Sequence, residues 1–183
     1  MSRKYKVLDQ NRPYFITCTV VDWVDVFTRA EYKQILVDSL QHCQLKKGLE
    51  IFAWVIMTNH VHLIVRAKQG LKLENIIRDF KKYTSVALCR AIIANRYESR
   101  KWIMNIFKAA GASSNKHFKY QFWQESFHPV ELSSNSIMDQ KLNYLHSNPV
   151  RAGIVTSPES YLYSSAVDYY TNLRGMIEIV YLG

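Results

Sequence analysis

The sequence predicts an α+β fold, an antiparallel sheet with helices packed on one of its faces. Short runs rich in aromatic and β-branched residues alternate with longer segments in which apolar residues recur every three or four positions. Their order is strand, helix, strand, strand, helix, followed by a further strand and helix. This order indicates a sandwich of ferredoxin-like character. The length of 183 residues suits one compact domain that covers residues 1–183.

The first half of the chain contains the most regular predicted elements. They are a strand at 14–21, a helix that ends at Lys46-Lys47-Gly48, strands at 49–57 and 60–67, and a helix with apolar positions from Leu73 to Ala91. Cations followed by glycine are typical of a helix C-terminus. Thr58-Asn59 separates the second and third strands by two residues, which predicts a hairpin.

The second half is less regular. Residues 97–116 are basic and contain Gly111 and Ser113, which predicts a loop insertion. The other predicted elements are a strand at 118–123, an extended segment at 127–132 and a helix from about Ile137 to His146. Asn148-Pro149 should end that helix, because helical geometry is disfavoured for the residue before proline.

The composition narrows the class of partner. The chain carries 24 Lys and Arg against 15 Asp and Glu, a formal net charge of +9. This excess favours a polyanionic partner, because cations that neutralise phosphates release counterions. Cys18, Cys43 and Cys89 are odd in number and far apart, which argues against a disulfide framework or a structural zinc site. The longest apolar run, 51–57, is too short to span a bilayer, so we expect a cytoplasmic protein without a membrane partner.

His60-Val61-His62 on the third predicted strand is the first candidate for chemistry. Side chains two apart on a strand point to the same face, so both imidazoles would project together while Val61 points into the core. Two imidazoles with a free face can bind a divalent metal ion. The alternative is a pair of polar side chains on the wet face of a half-buried strand, and the spacing alone favours this alternative.

Tyr144 and Asn148 are the second candidate. Residues four apart on a helix share a face, so the pair can offer a phenol as nucleophile and an amide oxygen as a metal ligand. The alternatives are simple packing, since the chain has 12 tyrosines, and helix-end chemistry for an asparagine that precedes Pro149. Tyr83 on the second helix is a competing nucleophile.

Two groups of residues are candidates for contact with DNA. Arg78, Lys81 and Lys82 would form a basic stripe on the second helix, which suits phosphates, although such a run more often marks a solvated helix face. Trp123 and Gln124 are suited to stacking on or hydrogen bonding with exposed bases. Core packing is the alternative for Trp123.

The order of these motifs along the chain resembles that of a known protein family. The matching stretches are Tyr14-Phe15-Ile16-Thr17, Ala53 to Ile64, Phe80-Lys81-Lys82-Tyr83-Thr84-Ser85, Trp123-Gln124 with Phe127, and Leu142 to Gly153, which includes Tyr144 and Asn148-Pro149-Val150. Together they span most of the chain. The chain resembles the single-tyrosine HUH (His-hydrophobic-His) transposases, and specifically the REP-associated tyrosine transposases.

The resemblance implies a metal-dependent transposase that cuts and rejoins single-stranded hairpin DNA through a covalent 5′-phosphotyrosine. It implies that His60 and His62 bind Mg²⁺ or Mn²⁺, that Tyr144 is the nucleophile, and that Asn148 supplies an amide ligand. It also implies a single transposase domain. That domain would act as a monomer, as expected of the REP-associated group, or as a homodimer, as in relatives that swap helices.

The sequence departs from the family pattern at two places. Residues 97–116 form a longer basic segment than usual, and Asn143 stands where many members have an acid. Two other functions are compatible with the same residues. One is a non-catalytic nucleic-acid-binding protein on the same fold. The other is a metal-dependent phosphodiesterase in which a metal-bound water, and not a tyrosine, is the nucleophile.

Overall fold

The centre of the protein is a four-stranded antiparallel sheet. The computed structural model describes residues 7–114, 119–125 and 127–181. The strands are β1 (Tyr14–Thr19), β2 (Leu49–Ile56), β3 (His60–Ala67) and β4 (Val130–Glu131). Their order across the sheet is β2-β3-β1-β4, and each neighbouring pair is antiparallel. This is the ferredoxin-like order, so the predicted fold class is confirmed.

Five helices accompany the sheet in the described part of the chain. They are α1 (Ala30–Lys47), α2 (Leu73–Ala94), α3 (Ile103–Ser113), α4 (Asn135–Arg151) and α5 (Ala166–Tyr170). Short 3-10 turns lie at Val21–Trp23 and Pro158–Ser160. Helix α1 ends as predicted at Gly48, whose φ of 68° lies in the left-handed region that favours glycine. None of the helices described is long and apolar enough to cross a bilayer.

Both faces of the sheet are covered, which corrects the prediction of helices on one face. One core contains Ile16, Val61 and Leu63 from the sheet, together with apolar residues of α1, α2 and α3. The other core contains Phe15 and Ile64 together with residues of α4. Almost every residue of β2 and β3 is buried, so both faces of these strands are kept from water. Helix α4 does this on the second face.

Residues 97–116 are not simply a loop, which corrects a second prediction. Helix α3 occupies most of the described part of this segment, and it buries Ile103, Phe107 and Gly111 at four-residue spacing. Gly111 and Ser113, which suggested a loop, lie in its last turn. The strand predicted at 118–123 is also not formed. Residue 118 lies outside the described residues, and the remainder makes an isolated bridge between Trp123 and Val20.

Helix α4 continues through Pro149, which corrects the predicted end of the third helix. Proline lacks an N–H, so the helix loses the hydrogen bond to the carbonyl of Leu145. The turn beyond it is retained, because the N–H of Ala152 donates to the carbonyl of Asn148 at 2.9 Å. Pro149 is itself buried against the body of the protein. Packing therefore outweighs the local preference of the residue before proline.

Glu98 anchors the segment that leads into α3. Its side chain is fully buried and accepts hydrogen bonds from Arg100 Nε at 2.9 Å, Arg29 Nε at 3.2 Å and the Tyr32 hydroxyl at 3.0 Å. Hydrogen bonds from the Arg100 side chain first, then from its backbone N–H and from Tyr32, outweigh burial and lower the pKa of Glu98 from 4.5 to about 2. A buried carboxylate held by two arginines ties this segment to the start of α1.

We expect Glu98 to make the protein less stable in acid. Because its pKa is lowered on folding, the unfolded chain takes up the proton first as the pH falls. The stabilisation is therefore complete above pH 4.5 and is lost as the pH falls towards about 2. Its full size is on the order of 3 kcal/mol. Urea unfolding near neutral pH and in acid should show a smaller loss of unfolding free energy for Glu98→Gln than for wild type.

Glu178→Gln is the matched control, because the side chain of Glu178 is exposed. It should keep the acid profile of the wild type. Identical acid profiles for wild type and Glu98→Gln would contradict this account of the Glu98 cluster.

Candidate active site

The two histidines of His60-Val61-His62 lie together on the face of β3 that α4 covers. Their ring centroids are 4.6 Å apart, while Val61 between them is fully buried on the opposite face. Only 5% of His62 is exposed, and His60 is partly buried. The alternative of two solvated side chains on a wet face does not fit this burial.

Hydrogen bonds orient both imidazoles through Nδ1. His60 Nδ1 donates to Asn59 Oδ1 at 2.7 Å, and His62 Nδ1 lies 2.8 Å from Thr17 Oγ1. The amide of Asn59 is itself oriented, because its nitrogen donates to Asp25 and to the carbonyl of Trp23. Holding Nδ1 in this way directs the Nε2 atoms towards a ligand.

The histidine pair is suited to holding a divalent cation. Burial lowers the pKa of His62 to about 3, helped by His60 and Lys141, and burial also lowers the pKa of His60. Both imidazoles are therefore neutral near neutral pH and keep a lone pair for a metal. Nε2 of His62 is buried and has no hydrogen-bond partner in the described structure. An orphaned nitrogen of this kind fits a ligand to a bound ion.

Tyr144 lies directly beside this pair. Its ring is 5.4 Å from that of His62 and 6.0 Å from that of Phe15, and 39% of the residue remains exposed. Helix α4 brings it there by packing Leu145 and Met138 against the second face of the sheet. The candidate nucleophile is thus next to the candidate metal ligands and open to a substrate.

Asn148 lies one turn after Tyr144 on the same helix. Its Nδ2 donates to the carbonyl of Tyr144 at 2.8 Å, so the amide oxygen remains available as an acceptor. Within the described ranges, no group of three or more His, Cys, Asp or Glu side chains could hold a metal ion. Among the described residues, a further ligand beside the two histidines would therefore be a neutral oxygen such as this one.

Two cations that the sequence reasoning missed flank Tyr144. Lys141 Nζ lies 5.7 Å from the centre of the tyrosine ring, and the guanidinium carbon of Arg151 lies 5.6 Å from it. The signal was present in the sequence, because residues at positions 141, 144, 148 and 151 recur on one face of a helix. Positive charge at this place suits an anionic phosphate.

The predicted basic stripe lies on the other side of the sheet. Helix α2 packs on the face opposite the histidine pair. Arg78 is exposed and pairs with Asp79, Lys82 is exposed, and Lys81 Nζ donates to the carbonyl of Gln124 at 2.6 Å. Tyr83, the competing nucleophile, is also exposed on α2 and does not lie beside the histidines.

Trp123 is a core residue and does not offer its ring to DNA. Only 4% of it is exposed, and its indole N–H donates to Thr84 Oγ1 at 2.9 Å. Stacking on a base needs a free ring face, so the proposed DNA contact of Trp123 is corrected to a packing role. Gln124 is partly exposed, and its N–H donates to the carbonyl of Thr19 at the end of β1.

Comparisons with known proteins identify the family to which the chain belongs. The family model described as "Transposase IS200 like" matches residues 14–148. The chain is also similar to a solved structure, "Structure of the REP associates tyrosine transposase bound to a REP hairpin", with a TM-score of 0.66 and 19% identity. That match covers 98% of this chain and 92% of the other, and at this identity it shows the fold alone. A comparison with curated proteins gives no match. The chain belongs to the IS200-like transposase family, whose members are enzymes that act on DNA.

Proposed function

We propose that this transposase cuts and rejoins single-stranded DNA with Tyr144 as its nucleophile. The observation that carries the proposal is the placement of the Tyr144 ring 5.4 Å from His62, beside a pair of neutral, oriented imidazoles. The phenolic oxygen attacks a backbone phosphorus, and the bond from phosphorus to the 3′-oxygen breaks. The phenol gives up its proton and the leaving 3′-oxygen takes one up, so the products are a covalent 5′-phosphotyrosine and a free 3′-hydroxyl.

The phosphotyrosine keeps the energy of the phosphodiester bond. A 3′-hydroxyl can attack it, release Tyr144 and restore a DNA strand without ATP. Lys141 and Arg151, which both lie close to the tyrosine ring, provide positive charge for the phosphate as it accepts a fifth oxygen.

We assign the metal ligands to His60, His62 and the amide oxygen of Asn148. When bound there, Mg²⁺ or Mn²⁺ would polarise the scissile phosphate as a Lewis acid. The orphaned Nε2 of His62 supports this assignment. Imidazole suits Mn²⁺ better than Mg²⁺, so Mn²⁺ should bind more tightly of the two.

The proposed substrate is single-stranded DNA that carries a hairpin. A net charge of +9 suits a polyanion, and the similar solved structure is described as bound to a REP hairpin. Residues 1–183 would act as a single transposase domain. We place that domain in the cytoplasm, where its three buried free cysteines stay reduced.

A covalent-adduct experiment tests the proposal. Purified protein is mixed with single-stranded DNA from the flanks of its own gene in the presence of Mn²⁺, and the products are separated under denaturing conditions. We expect an adduct that, after trypsin and nuclease digestion, carries a nucleotide on peptide 142–151, which contains Tyr144.

Other outcomes identify the competing functions. Modification of peptide 83–90 would assign the reaction to Tyr83 and contradict the proposal. DNA binding without an adduct or cleavage would indicate a binding protein. Cleavage without an adduct would indicate a phosphodiesterase that uses water.

A further inference from the structure

An exposed tryptophan stands next to the histidine pair without a role in the fold. The indole of Trp23 meets the ring of His60 edge-on, with centroids 6.0 Å apart and an interplanar angle of 72°. Trp23 is 58% exposed, whereas Trp54 and Trp123 are buried in the core. Its ring therefore contributes little to stability by burial and presents a free face to solvent beside the candidate active site.

The backbone of Trp23 adopts an unfavourable conformation to hold the ring there. Asp22 and Trp23 have φ angles of 51° and 55°, and the turn is closed by a hydrogen bond from Val24 N–H to the Val21 carbonyl at 3.3 Å. Each left-handed residue costs about 1 kcal/mol or more when it has a bulky side chain. Glycine would be the favoured residue at the second position of such a turn. A tryptophan in its place indicates a use for the indole.

One amide connects this turn to the active site. Asn59 Nδ2 donates to the carbonyl of Trp23 at 3.1 Å, while Asn59 Oδ1 accepts from His60 Nδ1 at 2.7 Å. The strained turn and the orientation of His60 are thus held by the same side chain. The backbone that carries the indole is therefore tied to the histidine pair, which suits a preformed platform for a ligand.

We propose that Trp23 stacks on a DNA base that flanks the scissile phosphate and so positions that phosphate at the histidine pair. An aromatic ring with a free face binds any base, because every base has a π-face. The base must lie close to the cleavage point, since the indole contacts His60 directly. The inference rests on the proposed function, in which His60, His62 and Tyr144 form the cleavage centre.

The variant that separates this role from a structural one is Trp23→Gly. Glycine adopts a φ of 55° without strain, so the melting temperature should stay the same or rise. The loss of one stacked base should raise the DNA concentration for half-maximal adduct formation about 10- to 100-fold, with little change in the rate at saturating DNA. Trp23→Phe should restore most of the affinity. Trp102→Ala, which removes another exposed tryptophan just before α3, is the matched control and should have no effect.

Fluorescence provides a readout that does not require cleavage. Single 2-aminopurine substitutions are placed along the strand, and quenching on binding is compared between wild type and Trp23→Gly. We expect one position next to the cleavage point to be quenched by wild type and not by Trp23→Gly. The same quenching pattern in both proteins would overturn the inference. A wild type that forms no adduct yet shows Trp23-dependent quenching would overturn the proposed function and leave base stacking standing.

Discussion

Tyr144→Phe is expected to abolish the covalent DNA adduct, with a loss of about 10³-fold or more in the rate of cleavage. The substitution removes one oxygen, and that oxygen is the proposed nucleophile. The phenyl ring would keep its contacts with His62 and Phe15. Within the described ranges, no hydrogen bond to the Tyr144 hydroxyl is seen, so the fold should be unchanged. Time courses of adduct formation on denaturing gels measure the effect.

Tyr83→Phe is the matched control for this experiment. Tyr83 is exposed on α2, on the face of the sheet opposite the histidine pair, and its loss should leave the rate at the wild-type level. If the adduct still forms in Tyr144→Phe and is lost in Tyr83→Phe, the nucleophile is Tyr83 and not Tyr144. Binding of the uncleaved strand should be similar in wild type and Tyr144→Phe, which separates chemistry from recognition.

His62→Phe is expected to weaken Mn²⁺ binding by about 100-fold or more and to slow adduct formation correspondingly at limiting metal. Phenylalanine keeps a ring in a site where only 5% of the residue is exposed, but it removes both nitrogens. The packing against Phe15 is retained, so a change in metal affinity reports the ligand and not the fold. The affinity is measured by titrating the protein with Mn²⁺ and following the concentration of free Mn²⁺ by electron paramagnetic resonance. This measurement requires neither DNA nor turnover.

His42→Phe is the control for the histidine experiment. His42 is exposed on α1, where it lines a groove between α1 and α2 together with Tyr83. The His42→Phe variant should bind Mn²⁺ and form the adduct like the wild type. Equal Mn²⁺ affinities for wild type and His62→Phe would show that His62 is not a metal ligand, whatever the effect on cleavage.

Chelation by EDTA should stop the wild-type reaction, and added Mn²⁺ should restore it.

The first half of the fold could be predicted closely from the sequence. Strand β3 has the predicted bounds, and α1 ends at Gly48 as expected. These features depend on the period of the apolar residues and on the conformational freedom of glycine, which are properties of short segments. The second half was predicted less well. The small residues of α3 predict a loop where a helix forms, and Asn148-Pro149 predicts the end of a helix that continues to Arg151.

The candidate site could likewise be predicted only in part from the sequence. Motif and spacing identified His60, His62, Tyr144 and Asn148 as candidates, because these residues lie close together within two short segments. Spacing alone did not separate a metal site from a wet strand face. The burial of His62 under α4 and the unpaired Nε2 atom favour the metal site. Neither feature exists until α4 packs on the sheet.

By itself, the sequence determined the α+β class, the basic character of the protein and the residues with suitable chemistry. Only the tertiary structure decided which of them meet. It brings Tyr144 and Lys141 to the histidine pair, puts Trp123 in the core, and leaves Trp23 exposed beside His60. The physical reason is that local periodicity records the face on which a side chain lies. Which residues contact that face depends on the packing of segments that are distant in the chain.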